Sequence, residues 1–146
     1  MSRLFKTILL HITSFLAKKK GEDSMPASLK ISDAIILQVM DELSDFENHQ
    51  GYLKPITLHS LAKKLKTNPK YLSKIINNHY QKNFSSYIND LRINYLLKEL
   101  TKNDTLQKCT IKSLAKKLGF GNPESFAKAF KRHTGVNPST YINELK

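Results

Sequence analysis

The hexapeptide Ser-Leu-Ala-Lys-Lys-Leu occurs twice in the chain, at residues 60–65 and again at 113–118. Each copy is followed by a polar turn, a short amphipathic stretch and a Tyr-Ile-Asn triplet, at residues 87–89 and 141–143. Self-similarity at this distance marks a duplicated supersecondary unit. Each unit reads as a short helix, a turn, a second helix and a supporting helix. That is the pattern of a helix-turn-helix present in two copies.

The apolar residues carry the same message along the chain. Ser32 is placed to cap a helix in which Ile35, Ile36, Val39, Met40, Leu43 and Phe46 recur at 3.6-residue period. Gly51 and Pro55 close that segment. Thr57 then caps a short helix with Leu58, Leu61, Ala62 and Leu65 inward. After the turn Lys66-Thr67, Asn68 as N-cap and Pro69 at the first helical position start the next helix. Leu72, Ile75, Ile76 and His79 lie on one face of it, and Lys70, Ser73, Lys74 and Asn77 on the other.

A longer helix is expected over residues 85–100. Tyr87, Ile88, Leu91, Ile93, Tyr95, Leu96, Leu97 and Leu100 cover much of its perimeter, so it should be buried on more than one side, as a helix bridging two subdomains must be. Residues 101–110 read as a polar connector. The second copy opens at Thr110 with Ile111, Leu114, Ala115 and Leu118 inward. It turns at Gly119-Phe120-Gly121 and restarts at Asn122-Pro123, with Phe126, Ala129, Phe130 and His133 facing in. Thr134-Gly135-Val136-Asn137-Pro138 leads into a last helix with Tyr141, Ile142 and Leu145. No segment alternates at a period of two. The expected fold is all-α, with two helix-turn-helix subdomains joined by a long central linker helix.

Composition narrows the partner. Lys and Arg number 24 against 12 Asp and Glu, a net charge of +12 and a pI near 9.8. Such a surplus attracts polyanions, either nucleic acid or an anionic membrane surface. The single cysteine, Cys109, rules out an intramolecular disulfide and fits a reducing cytoplasm. His11, His49, His59, His79 and His133 are far apart and lack Cys/His ligand spacing, so no metal site is expected. Phosphate-loop, dinucleotide-fingerprint and nucleophile-elbow patterns are all missing from the sequence. Neither enzymatic activity nor a cofactor is expected.

Residues 4–17 are rich in apolar side chains but interrupted by Lys6 and His11, and Lys18-Lys19-Lys20 follow. The stretch is short for a membrane span, which needs roughly 20 mostly apolar residues. It reads as an N-terminal tail, an interfacial helix with its lysines toward anionic lipid, the remnant of a truncated span, or a signal-like apolar region. Residues 21–28 read as a linker.

A helix-turn-helix reads DNA by laying its second helix in the major groove, where each base pair shows a distinct set of donors, acceptors and methyl groups. The base-reading candidates are therefore Lys70, Ser73, Lys74 and Asn77 in the first copy, and Glu124 and Lys128 in the second. Lys74 can donate to guanine O6 and N7. Glu124 can accept from cytosine N4, or can simply complement the helix dipole. Pro123 and Ala127 offer little hydrogen bonding, so the second helix is expected to be the weaker reader. Candidate phosphate contacts are Lys131 and Arg132, together with the helix starts at Thr57, Asn68, Thr110 and Asn122, where free backbone N–H groups accept anions. Capping alone would also place those four residue types there.

These residues resemble the AraC/XylS family of bacterial transcription regulators over roughly residues 33–146. The most specific signal is Leu114-Ala115-Lys116-Lys117-Leu118-Gly119-Phe120, then Ser125-Phe126-Ala127-Lys128-Ala129-Phe130-Lys131, then Thr134-Gly135-Val136-Asn137-Pro138-Ser139-Thr140-Tyr141. Leu72-Ser73-Lys74-Ile75-Ile76-Asn77, with Tyr87 and Leu91-Arg92, resembles the matching N-terminal unit. The resemblance implies about seven homeodomain-like helices, with both recognition helices entering successive major-groove segments about one helical turn apart.

By that resemblance residues 31–146 form the DNA-binding domain. Its first unit spans residues 56–92, its linker helix 85–100 and its second unit 110–146, with residues 1–30 a tail and linker. The base contacts fall on Lys70, Ser73, Lys74, Glu124 and Lys128, with lysine standing where arginine is common. The residues before the first helix are too few for a separate sugar-binding barrel. A cytoplasmic regulator is implied, an activator by family analogy, with double-stranded DNA and RNA polymerase as partners. The rival expectation is a helical adaptor held weakly at a membrane through residues 4–20, its basic surface facing lipid.

Overall fold

Helix α1 (Asp33–Asn48) starts where the Ser32 hydroxyl accepts the Ile35 N–H. It buries Ile36, Val39, Met40, Leu43 and Phe46 along one face, as the spacing of its apolar residues requires. The computed structural model describes residues 30–146, so the expectations for residues 4–20 lie outside the described residues. A 3-10 turn (Gly51–Leu53) follows, then α2 (Leu58–Lys64), α3 (Pro69–Tyr80), α4 (Phe84–Leu100), α5 (Asp104–Gln107), α6 (Ile111–Lys117), α7 (Pro123–Thr134) and α8 (Pro138–Leu145). The described residues contain only helices, turns and loops, so the fold is all-α. Among the described residues no helix is long and apolar enough to cross a membrane.

The caps match the side chains that the sequence places at helix starts. Thr57 and Ser60 form a reciprocal capping box at the head of α2. Asn68 Oδ1 accepts the Tyr71 N–H at 2.9 Å, Thr110 Oγ1 the Ser113 N–H at 3.1 Å, and Asn122 Oδ1 the Ser125 N–H at 2.8 Å. Pro69 and Pro123 occupy the first helical positions, where a missing N–H loses no bond.

Two hydrophobic cores meet on α4. The first gathers Leu43, Leu61, Leu72, Ile76, Tyr87 and Ile88 among others, and the second gathers Ile93, Leu96, Leu114, Phe126, Phe130 and Ile142. The changeover falls between Ile88 and Ile93, while Leu53 and Tyr95 touch both cores. In each unit the short helix packs on the longer helix after it, α2 on α3 and α6 on α7, and α4 packs on both α3 and α7. This is why α4 is apolar around most of its circumference.

Three features differ from the sequence expectations. The connector contains the single-turn helix α5, capped by Asn103. Between Gly51 and Pro55, read from the sequence only as the end of the first helix, the chain forms a 3-10 turn that buries Tyr52 edge-on against Phe46 and Tyr95. His133 does not pack in the core. At the C-terminal end of α7 it is exposed and reaches Asp90 of α4, a carboxylate partner that an inward position in the apolar core would not offer.

Both α2 and α6 end in the same Schellman motif. Lys66 and Thr67 donate to the carbonyls of Lys63 and Ala62, and Gly119 and Phe120 donate to those of Lys116 and Ala115. The left-handed residue is Lys66 in the first copy and Gly119, at φ 84°, in the second. A Cβ on Gly119 would sit 2.7 Å from the Leu53 carbonyl oxygen and 2.9 Å from the carbonyl carbons of Leu53 and Lys54. Backbone atoms cannot rotate aside. Gly119→Ala is therefore expected to destabilise the fold by about 2–3 kcal/mol, combining the left-handed penalty with overpacking. Chemical denaturation would read this as a lower midpoint, and an unchanged midpoint would refute the close approach.

Candidate nucleic-acid interface

Helices α3 and α7 are each divided into an inner and an outer face. On α3, Leu72, Ile75 and Ile76 are buried, Lys70 and Asn77 are exposed, and Ser73 and Lys74 are half-buried. On α7, Phe126, Ala129 and Phe130 are buried, whereas Glu124, Lys128, Lys131 and Arg132 are exposed. Aligning Pro69 with Pro123 pairs Lys70 with Glu124, Ser73 with Ala127, Lys74 with Lys128 and Asn77 with Lys131. Each set of candidate readers thus lies on one outward face of its own helix, at steps of three and four. The four candidate helix-start sites, Thr57, Asn68, Thr110 and Asn122, are all N-caps whose side chains are engaged in the caps.

Charge is distributed unevenly between the elements. Asp33, Asp41, Glu42, Asp45 and Glu47 all lie on α1, which carries no Lys or Arg. Among the described residues every Lys and Arg except Lys30 lies at or beyond Lys54, on or between the helices of the two units. The basic surplus therefore belongs to the duplicated part of the chain. Its potential attracts a polyanion to that part before any specific contact forms.

The inner side of α3 is held by a polar contact that no local pattern in the chain announces. The hydroxyls of Tyr80 and Tyr87 both donate to Glu47 Oε1, at 3.1 and 2.6 Å. Burial, reinforced by the negative charge of Glu47, pushes both phenols well above their ordinary pKa, so they remain donors at any physiological pH. The contact ties the end of α3 and the start of α4 back to α1.

Two further polar residues that sequence reasoning passed over lie on α4. Arg92 is only 6% exposed. Its Nε donates to the Tyr52 carbonyl at 2.7 Å and its Nη2 to the Lys54 carbonyl at 3.1 Å, while its guanidinium lies 5.0 Å from the centroid of the Phe120 ring. Burial lowers its pKa to about 10, which still leaves it charged at neutral pH. Asp90 receives Lys82 Nζ at 2.6 Å on one carboxylate oxygen and His133 Nδ1 at 3.3 Å on the other. Burial alone would raise the Asp90 pKa, but the hydrogen bonds from Lys82 and His133 outweigh it and hold the carboxyl below its ordinary range. An arginine between Leu91 and Ile93 on a helix apolar nearly all round was the available signal of a buried, partnered charge.

Two helix pairs of the same design, each ending in a capped helix with an outward polar and cationic face and carried by one scaffold, define a double helix-turn-helix DNA-binding domain. Residues 61–144, more than half of the chain, match the family model described as a helix-turn-helix domain. The chain belongs to the AraC-type helix-turn-helix family. It is 28% identical over 130 residues to the HTH-type transcriptional regulator YtdP of Bacillus subtilis, covering 87% of this chain and 16% of that protein. The chain spans between 16% and 34% of the length of its curated relatives.

Solved structures have the same fold. A protein of unknown function from Listeria innocua superposes with a TM-score of 0.61 at 26% identity, over 73% of this chain and 95% of that one. The C-terminal domain of AraT, a response regulator from Geobacillus stearothermophilus, superposes with a TM-score of 0.60 at 24% identity, over 73% of this chain and 84% of that one.

Proposed function

We propose that this chain is a sequence-specific, double-stranded-DNA-binding transcription regulator that inserts α3 and α7 into successive major-groove segments on one face of the duplex. The observation that carries the reading is the matched pair of Asn-Pro-started helices, each with an apolar inner face and a polar, cationic outer one. Base edges are read by Lys70, Ser73, Lys74 and Asn77 from α3 and by Glu124 and Lys128 from α7. Phosphates are met by Lys131 and Arg132 and by the helix starts at Thr57, Asn68, Thr110 and Asn122. Membership of the AraC-type family supports a cytoplasmic regulator that acts through RNA polymerase, in the sense of activation.

The test is selection from a randomised duplex library with the full chain, followed by anisotropy titrations of the enriched duplex against a scrambled one. An enriched two-block motif, bound about a thousandfold more tightly than scrambled DNA, is the expected result. No enrichment, with equal binding to every duplex, would contradict the reading.

The two helices should not contribute equally to specificity. Lys74 shares its face with Ser73 and Asn77, whereas Lys128 has Pro123 and Ala127 beside it. Lys74→Ala is expected to weaken binding to the selected duplex by about 1–3 kcal/mol, roughly ten- to hundredfold, and Lys128→Ala by clearly less. Thermal melts of both variants would confirm intact folding. Equal losses, or losses that also appear with scrambled DNA, would refute the asymmetry.

A further inference from the structure

Beside the two hydrophobic cores, two polar clusters on α4 join the units. Residues 90 and 92 point about 200° apart around a helix, so these clusters grip α4 from opposite sides. On one side Arg92 ties the loop between α1 and α2, through the carbonyls of Tyr52 and Lys54, to Phe120 in the turn that launches α7. Gly119 of the same turn seats against the backbone of Leu53 and Lys54, so the joint closes without a gap. On the other side Asp90 ties Lys82, in the turn after α3, to His133 at the end of α7. One unit is thus pinned at both the start and the finish of the second recognition helix.

We propose that Arg92 and Asp90 are positioning residues that lock the register between α3 and α7 and so set the single spacing between groove blocks that the chain accepts. The proposal rests on the two-groove reading above. Each base pair inserted between the blocks turns the second by about 35° around the duplex axis and moves it about 3.4 Å along. A locked pair of units cannot follow that displacement. A loosened pair can follow part of it.

The experiment compares the full-length wild type with Arg92→Met, which keeps a long apolar stem but removes the fork that holds both carbonyls. Amide residual dipolar couplings from α1–α3 and from α6–α8 should fit one alignment tensor in the wild type and require two in the variant. On the library-selected duplex carrying one inserted base pair, the wild type should lose about a hundredfold in affinity and the variant less than about tenfold, relative to each protein's uninserted duplex. A single tensor in Arg92→Met, or an unchanged insertion penalty, would overturn the proposal.

If Arg92→Met does not fold, Arg92→Lys keeps the charge over Phe120 and cannot span both carbonyls, and Asp90→Asn weakens the opposite grip. The same two readings on those variants decide the question. If selection yields no preferred duplex, the two-groove reading fails, and the tensor comparison still decides whether the clamps hold the units together.

Discussion

Raising monovalent salt from about 50 to about 200 mM is expected to weaken duplex binding by about five-hundredfold. The figure follows from the side chains on the two outer faces. Lys131 and Arg132 meet phosphates, and Lys70, Lys74 and Lys128, although aimed at base edges, bring their charge into the groove between the phosphates and displace counterions there as well, so all five count. Each neutralised phosphate contributes about −0.9 to the slope of log affinity against log salt, so five give about −4.5. Anisotropy titrations across the salt range measure that slope directly. Removing Lys131 or Arg132 should make the slope shallower by about one while leaving sequence preference intact. A slope near zero would mean that these faces do not meet the phosphates, and the interface would have to lie elsewhere.

Phe130→Ala should cost about 3–5 kcal/mol of stability, among the largest losses available to a single core substitution. Phe130 is fully buried, with its ring 6.0 Å from Phe126 and 5.4 Å from Tyr141, edge-on to both. Its ring contact with Tyr141 joins α7 to α8 within the second core. Truncation leaves a cavity beside Phe126 and Tyr141, and the lost transfer energy and the cavity both count against the fold. A drop in melting temperature of roughly 10–20 °C is expected in a calorimetric scan. A loss below about 1 kcal/mol would show that the second core is not organised around this ring.

Most of the scaffold was legible because it rests on local rules. The Leu-Ala-x-x-Leu and Phe-x-x-x-Phe spacings place the buried faces of α2, α6 and α7, and the Asn-Pro pairs mark where α3 and α7 begin. Those same rules set the outward faces, so the candidate readers occupy the expected sides of their helices. His133 failed for a reason of the same kind. Helical period places it beneath Phe126 and Phe130, yet at the end of α7 the core has stopped and Asp90 is the available partner.

The junction between the units was not legible. Arg92 meets carbonyls 40 and 38 residues away, contributed by a loop that propensity does not predict. The second role of Gly119, making room for the Leu53 and Lys54 backbone, likewise depends on a tertiary neighbour, although its left-handed turn is readable from sequence. The contact of Glu47 with two tyrosine hydroxyls is hidden in the same way, 33 and 40 residues apart. Sequence periodicity names the face that is buried. It does not name the polar atoms that meet there.

The most direct test of the account is interference footprinting of the full chain on its selected duplex, using guanines methylated at N7 in the major groove. Two blocks of interference are expected on one face of the helix, centred about one turn apart, roughly 10–10.5 base pairs. The block assigned to α3 should weaken when Lys74 is replaced, and the block assigned to α7 should persist. Interference confined to a single block, or absent while binding continues, would contradict the insertion of both helices into the major groove.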